Sequence, residues 1–134
     1  MSIRILLADD HQIIRDGLSA LIEKQHGMEV VAEAKNGRMA VQLARRVKPD
    51  VIIMDIHMPD LGGIDATCQI LADCPAVKVI GLSMYSDNQF LVGMLKAGAT
   101  GYLLKDCAFE ELAQAIHLVA ADGTFLGSGI TETE

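Results

Sequence analysis

Residues 51–55, Val51-Ile52-Ile53-Met54-Asp55, decide the fold. Four apolar residues in succession, three of them β-branched, suit a strand buried on both faces, and such strands belong to parallel sheets covered by helices on each side. The run ends on a carboxylate and gives way to Ile56-His57-Met58-Pro59-Asp60, a turn segment. Working outward, four further short apolar runs stand at Ile3–Ala8, 29–32, 77–82 and Gly101–Leu104. Between the runs, apolar side chains recur at helical spacing: Ile14, Leu18, Leu21 and Ile22; Ala40, Leu43, Ala44 and Val47; Ile64, Cys68 and Leu71; Leu91, Met94 and Leu95; then Leu112, Ala115, Ile116 and Val119. Strict alternation with short connections implies right-handed crossovers and a doubly wound α/β domain of five strands and five helices.

The chain has 134 residues, 51% hydrophobic and 22% charged, which fits one domain with a full core. Periodicity fades after Asp122, so 1–122 is read as the domain and 123–134 as a tail or the start of a linker. A formal charge of -7 does not suit a surface that grips phosphate backbones, so DNA contact would need a domain beyond residue 134. No apolar run approaches the roughly 20 residues that span a bilayer, and the N-terminus lacks a signal-peptide pattern. A cytoplasmic location without membrane partners is therefore expected. Cys68, Cys74 and Cys107 are odd in number and lack a paired spacing, so buried free thiols are expected instead of a disulfide or zinc site. His11, His26, His57 and His117 are scattered and suggest no histidine metal cluster.

In a doubly wound sheet, ligands bind at the C-terminal ends of the strands. The polar residues at those ends are Asp9 and Asp10, Asp55, Ser83 and Lys105. Any one of them has a simpler reading, and Asp10 or His11 would serve to cap the helix that follows. Jointly they point to a site, because three converging carboxylates are tolerable when a divalent cation sits among them, and an oxygen-lined, water-accessible site suits Mg2+. A carboxylate beside Mg2+ can attack a phosphoryl group whose oxygens are met by an ammonium and a hydroxyl. Asp55, on the central strand, suits the nucleophile, with Lys105 and Ser83 on its other side.

These residues resemble the receiver domain of bacterial two-component response regulators. The resemblance rests on "DD" after the first strand, "DIHMP" with Gly63 four residues after Pro59, "LS" closing the fourth strand and "KAGATGYLLKD" around the fifth. "ADDH" and "AGATGYLLKD" further resemble the NarL/FixJ branch, whose members usually continue into a LuxR-type helix-turn-helix domain. The resemblance implies a flavodoxin-like three-layer (βα)5 sandwich with sheet order 2-1-3-4-5. It makes Asp55 the phosphoacceptor, with Asp10, Asp55 and the His57 backbone carbonyl as direct Mg2+ ligands and Asp9 acting through water. Lys105 and Ser83 would hold the phosphoryl oxygens, and Tyr102 would be the aromatic that follows Ser83 in the switch. His57 and Tyr85 occupy positions that influence hydrolysis of the acyl phosphate, where their bulk is expected to restrict attacking water.

The implied partners are a sensor histidine kinase and a second copy of the chain on phosphorylation. The implied output is transcription regulation by a signalling protein with limited self-phosphorylation and autodephosphorylation, or protein contact by a stand-alone receiver. Two departures stand out: Gly62 replaces a residue that is often polar, and Asp106 follows Lys105 where many members carry a proline in a cis bond. Other functions on this topology fit less well. An FMN carrier would need a phosphate loop where "DDHQ" repels anions, and a Mg2+-dependent phosphohydrolase would normally carry an acid where His57 stands. On the fourth helix, Phe90, Leu91, Val92, Met94 and Leu95 cover more than one side, and because one apolar stripe suffices to pack on a sheet, some of them are expected to reach solvent or a partner. Leu118, Phe125, Leu126 and Ile130 pose the same expectation nearer the end of the chain.

Overall fold

The computed structural model describes residues 2–84 and 88–128, so Tyr85 and Ile130 lie outside the described residues. Strands and helices alternate: β1 (Ile3–Ala8), α1 (Gln12–Glu23), β2 (Met28–Ala34), α2 (Gly37–Val47), β3 (Val51–Asp55), α3 (Gly63–Asp73), β4 (Lys78–Ser83), α4 (Asn88–Ala97), β5 (Gly101–Leu104), α5 (Lys105–Ala120) and β6 (Phe125–Leu126). The sheet order is β2-β1-β3-β4-β5-β6, and every neighbouring pair is parallel. The five expected strands take the expected order, and the flavodoxin-like three-layer sandwich is the fold.

The alternation of side chains along each strand divides the core into two layers. Leu6, Ile52, Met54, Val79 and Tyr102 face α2, α3 and α4, where Ala40, Ala44, Ala66, Ile70 and Met94 receive them. Ile5, Leu7, Val51, Ile53, Ile80, Leu82 and Leu103 face α1 and α5, against Leu18, Ile22, Leu112 and Ile116. All five residues of β3 are buried, as its run of apolar residues requires. Each such aliphatic side chain contributes about 1.5 to 3 kcal/mol on leaving water. This central, doubly covered strand carries Asp55 to the sheet rim with little freedom to move.

Several expectations are corrected. The segment after Asp122 is not simply a tail, because Phe125–Leu126 adds a sixth strand parallel to β5. The Phe125 amide donates to the Thr100 carbonyl at 3.0 Å and the Gly127 amide to the Tyr102 carbonyl at 2.9 Å. Asp122, with φ of 69°, turns the chain back toward that edge. The thiols are free but not buried: Cys68 is exposed, and Cys74 and Cys107 are half-buried. On α4, Leu91 and Met94 are buried, whereas Phe90, Val92 and Leu95 stay partly exposed, Phe90 and Leu95 also packing in part against the core. Among the described residues, the exposed large apolar ones are Ile13, Met84, Phe109 and Leu118.

Candidate functional site

β1, β3, β4 and β5 end on the same rim, where Asp9, Asp55, Ser83 and Lys105 follow or close them. Asp9, Asp55 and Ser83 are buried polar residues, at 2%, 1% and 0% exposure. Asp10 is exposed. The Lys105 ammonium lies 2.9 Å from Asp9 Oδ2 and 3.2 Å from Asp55 Oδ2, one cation between two buried carboxylates. Ligating atoms of Asp9, Asp10, His11 and Asp55 all lie within 4.8 Å of one another. Sequence reading therefore placed the acids and the lysine together correctly, but it missed that a histidine joins them.

His11 stands at the N-cap of α1, yet neither it nor Asp10 caps the helix with a side chain. Its ring instead turns back, with Nδ1 at 3.1 Å from Asp9 Oδ1 and 3.2 Å from Asp10 Oδ1. The His11 amide donates to Asp9 Oδ1 at 2.8 Å, closing a turn that the acid pair shares with the helix start. His11 thus takes the N-cap position, but its imidazole faces the two preceding carboxylates and not the helix amides.

Asp55 Oδ1 accepts a bond from the His57 amide at 3.3 Å, which fixes the carboxylate against its own loop. The loop is held in turn by the Gly63 amide, which donates to the Ile56 carbonyl at 2.8 Å. A Cβ at Gly63 would lie 2.3 Å from the Asp55 carbonyl oxygen, so glycine is needed there for close approach. At Gly62 the nearest atom would be 3.5 Å away, and a side chain fits. The His57 ring meets Phe90 of α4 edge-on, with centroids 4.6 Å apart, a link between this loop and α4 that spacing alone does not reveal. A cleft of about 260 Å³ lined by His11, Asp55, His57, Met84 and Lys105 opens over the carboxylate.

Burial and then the charge of Asp9 push the Asp55 carboxyl up to about 7, although Lys105 and the His57 amide oppose them. For Lys105, burial favours the neutral amine, but hydrogen bonding and charge from Asp9 and Asp55 outweigh it and hold its pKa above the ordinary value. The rim thus sets three acids, Asp9, Asp10 and Asp55, against the Lys105 ammonium. That imbalance, with oxygen ligands and a water-facing Asp10, fits a divalent cation.

Ser83 and Tyr102 do not line this cleft. Ser83 closes β4 in register with Leu104, and Tyr102 pairs with Gly81 two residues earlier, so Ser83 and Tyr102 are diagonal neighbours on one face of the sheet. A Cβ on Gly81 would stand 3.0 Å from the Tyr102 ring, so that glycine makes room for it. No peptide bond is cis among the described residues, so Lys105–Asp106 is trans.

Residues 5–117 match the response regulator receiver domain family. The chain is 39% identical over 129 residues to the transcriptional regulatory protein DegU of Brevibacillus brevis, covering 96% of this chain and 55% of that protein. It is 36% identical over 130 residues to the response regulator GacA of Pseudomonas viridiflava, covering 97% and 61%. It therefore spans little more than half the length of these curated relatives. The crystal structure of a LuxR-family two-component response regulator from Aurantimonas sp. SI85-9A1 superposes with a TM-score of 0.92 at 37% identity, covering 97% of this chain and 93% of that one. With the acid rim, the fold and these matches in hand, the chain belongs to the receiver domain family of two-component response regulators.

Proposed function

We propose that Asp55 is the phosphoacceptor of this receiver and that it takes its phosphoryl group from the phosphohistidine of a sensor kinase. One observation carries the reading: a buried central carboxylate faces a cleft, paired with a single ammonium and bordered by two more acids. In the transfer, an Asp55 oxygen bonds to phosphorus as the bond to the imidazole nitrogen breaks, with its electron pair returning to that nitrogen. Lys105 then meets the negative oxygens of the acyl phosphate. Ser83 supplies a hydroxyl at the end of β4, and its displacement passes to Tyr102 along the shared sheet face. Water later releases inorganic phosphate and restores the carboxylate, slowed by the bulk of His57 beside the cleft.

Asp10, Asp55 and the His57 carbonyl would hold Mg2+ directly, with Asp9 behind a water. When bound, Mg2+ neutralises charge that develops on the phosphoryl oxygens. The kinase would dock on the groove of about 650 Å³ beside the site, lined by Ile13, Ile14, Met84 and Phe109 with His11 and Lys105. Ile13 is 85% and Met84 62% exposed there, an apolar surface unusual for a solvated helix and loop. We infer further that the domain acts in the cytoplasm, dimerises on phosphorylation and serves transcription regulation through a DNA-binding domain, the last supported by its likeness to the transcriptional regulatory protein DegU.

Incubation with a small acyl phosphate and Mg2+, followed by intact-mass spectrometry, tests the reading. A single phosphoryl adduct that disappears in Asp55→Asn or with chelator is expected. An adduct retained by Asp55→Asn, or multiple turnover of phosphate monoesters, would overturn it.

A further inference from the structure

Arg15 is a largely buried cation, 14% exposed, on the inner side of α1 beside the acid pair. Its Nη1 donates to the backbone carbonyl of Asp9 at 2.6 Å, and its Nε donates to Glu33 of β2 at 3.2 Å. The Asp9 amide donates to the Ala34 carbonyl of β2 at 3.0 Å. The Asp9 residue is thus held at both ends of its backbone, by β2 on one side and by a guanidinium that β2 also holds on the other. The carbonyl that Arg15 grips belongs to the peptide joining Asp9 to Asp10, so its orientation sets where the exposed Asp10 carboxylate points. Lys105 meets the rim acids through their carboxylates and occupies oxygens there. Arg15 is different: it brings positive charge beside the same cluster through the main-chain oxygen of Asp9, a contact that takes up no carboxylate oxygen of the rim.

We propose that Arg15 is a positioning residue for the metal site: its planar fork, anchored by Glu33, fixes the Asp9–Asp10 peptide so that both acids are preset for a divalent cation. This rests on the reading of the rim as a Mg2+ site. Groups that orient metal ligands typically alter affinity by tenfold or more when removed, and Arg15 acts one step further back, through the backbone. A lysine supplies charge without the two-pronged geometry.

The test is a titration of the whole chain with MgCl2, followed by backbone amide resonances, in wild type, Arg15→Met, Arg15→Lys and Glu33→Gln. Arg15→Met is expected to weaken Mg2+ binding about five- to tenfold, Arg15→Lys less, and Glu33→Gln about two- to threefold. Labelling of Asp55 by acyl phosphate should return to the wild-type rate at saturating Mg2+, a split that a general loss of structure would not produce. Wild-type affinity in Arg15→Met would overturn the proposal, as would affinity in Glu33→Gln equal to wild type should Arg15→Met fail to fold. No Mg2+ response in the wild type would instead overturn the underlying reading of the rim, and this inference with it.

Discussion

The two ends of the parallel sheet handle charge in opposite ways. At the N-terminal ends of the strands, charges are near solvent and individually satisfied: Lys78 Nζ lies 2.7 Å from the exposed Asp122, and Asp50 accepts a hydrogen bond from the Arg4 backbone amide at 2.8 Å. Lys78 and hydrogen bonding from it hold the Asp122 carboxyl below its ordinary range. At the C-terminal ends, two carboxylates are buried with one ammonium between them, and burial with like charge raises Asp55. The first arrangement is balanced, and screening makes it worth little. The second is unbalanced and sits on the strand with least freedom to relax. Unbalanced buried charge on a rigid strand is retained where binding and chemistry are proposed, and it should register in stability as well as in function.

Substitutions that remove the one cation of the acid rim should have the largest effect. Lys105→Met leaves Asp9 and Asp55 facing each other, so at pH 8 it is expected to lower unfolding stability by about 1 to 3 kcal/mol in urea titrations. It should also slow Asp55 labelling by roughly a hundredfold, as when one charge-stabilising donor is removed. Next comes the loop. Gly63→Ala, whose Cβ would collide with the Asp55 carbonyl, should slow labelling by about tenfold through displacement of the carboxylate, whereas Gly62→Ala should stay within about twofold. The smallest effects belong to the opposite end: Lys78→Ala and Asp122→Asn are expected to change neither the labelling rate nor, detectably, the melting temperature. A large effect there, or a small one at Lys105, would erase the distinction between the two ends.

Much of this was legible in the residues because the relevant signals are short-range. A run such as Val51-Ile52-Ile53-Met54 has few ways to be buried, and strand ends in an alternating fold must share a rim, so Asp9, Asp10, Asp55 and Lys105 could be gathered without coordinates. Ser83 was read from its place at a strand end, whereas the role of Tyr102 came from resemblance alone; only the register of β4 on β5 places the two on one sheet face. β6 was missed because two residues after a turn carry no periodicity, and its pairing depends on an open edge of β5. On α4, spacing did not reveal that Phe90 meets the His57 ring or that Leu95 packs partly against the core. Arg15 was overlooked as well. Its spacing marks it only as a residue in the first turns of a helix, and its work is done by a long side chain folded back onto the main chain.

In the metal-free fold the ionised form of Asp55 is disfavoured. Its pKa near 7 lies above the value of about 3.9 for an unfolded aspartate, so between those values the folded chain binds the extra proton. This contribution to stability is present at low pH and is lost as pH rises toward and through 7. The deciding measurement is unfolding free energy from urea titrations between pH 5 and 8, without divalent cations, for wild type and Asp55→Asn. The account predicts that the variant gains on the wild type as pH rises, reaching roughly 1 to 3 kcal/mol at pH 8, and that Mg2+ narrows the gap by stabilising the wild type. Parallel pH profiles for the two proteins would contradict it.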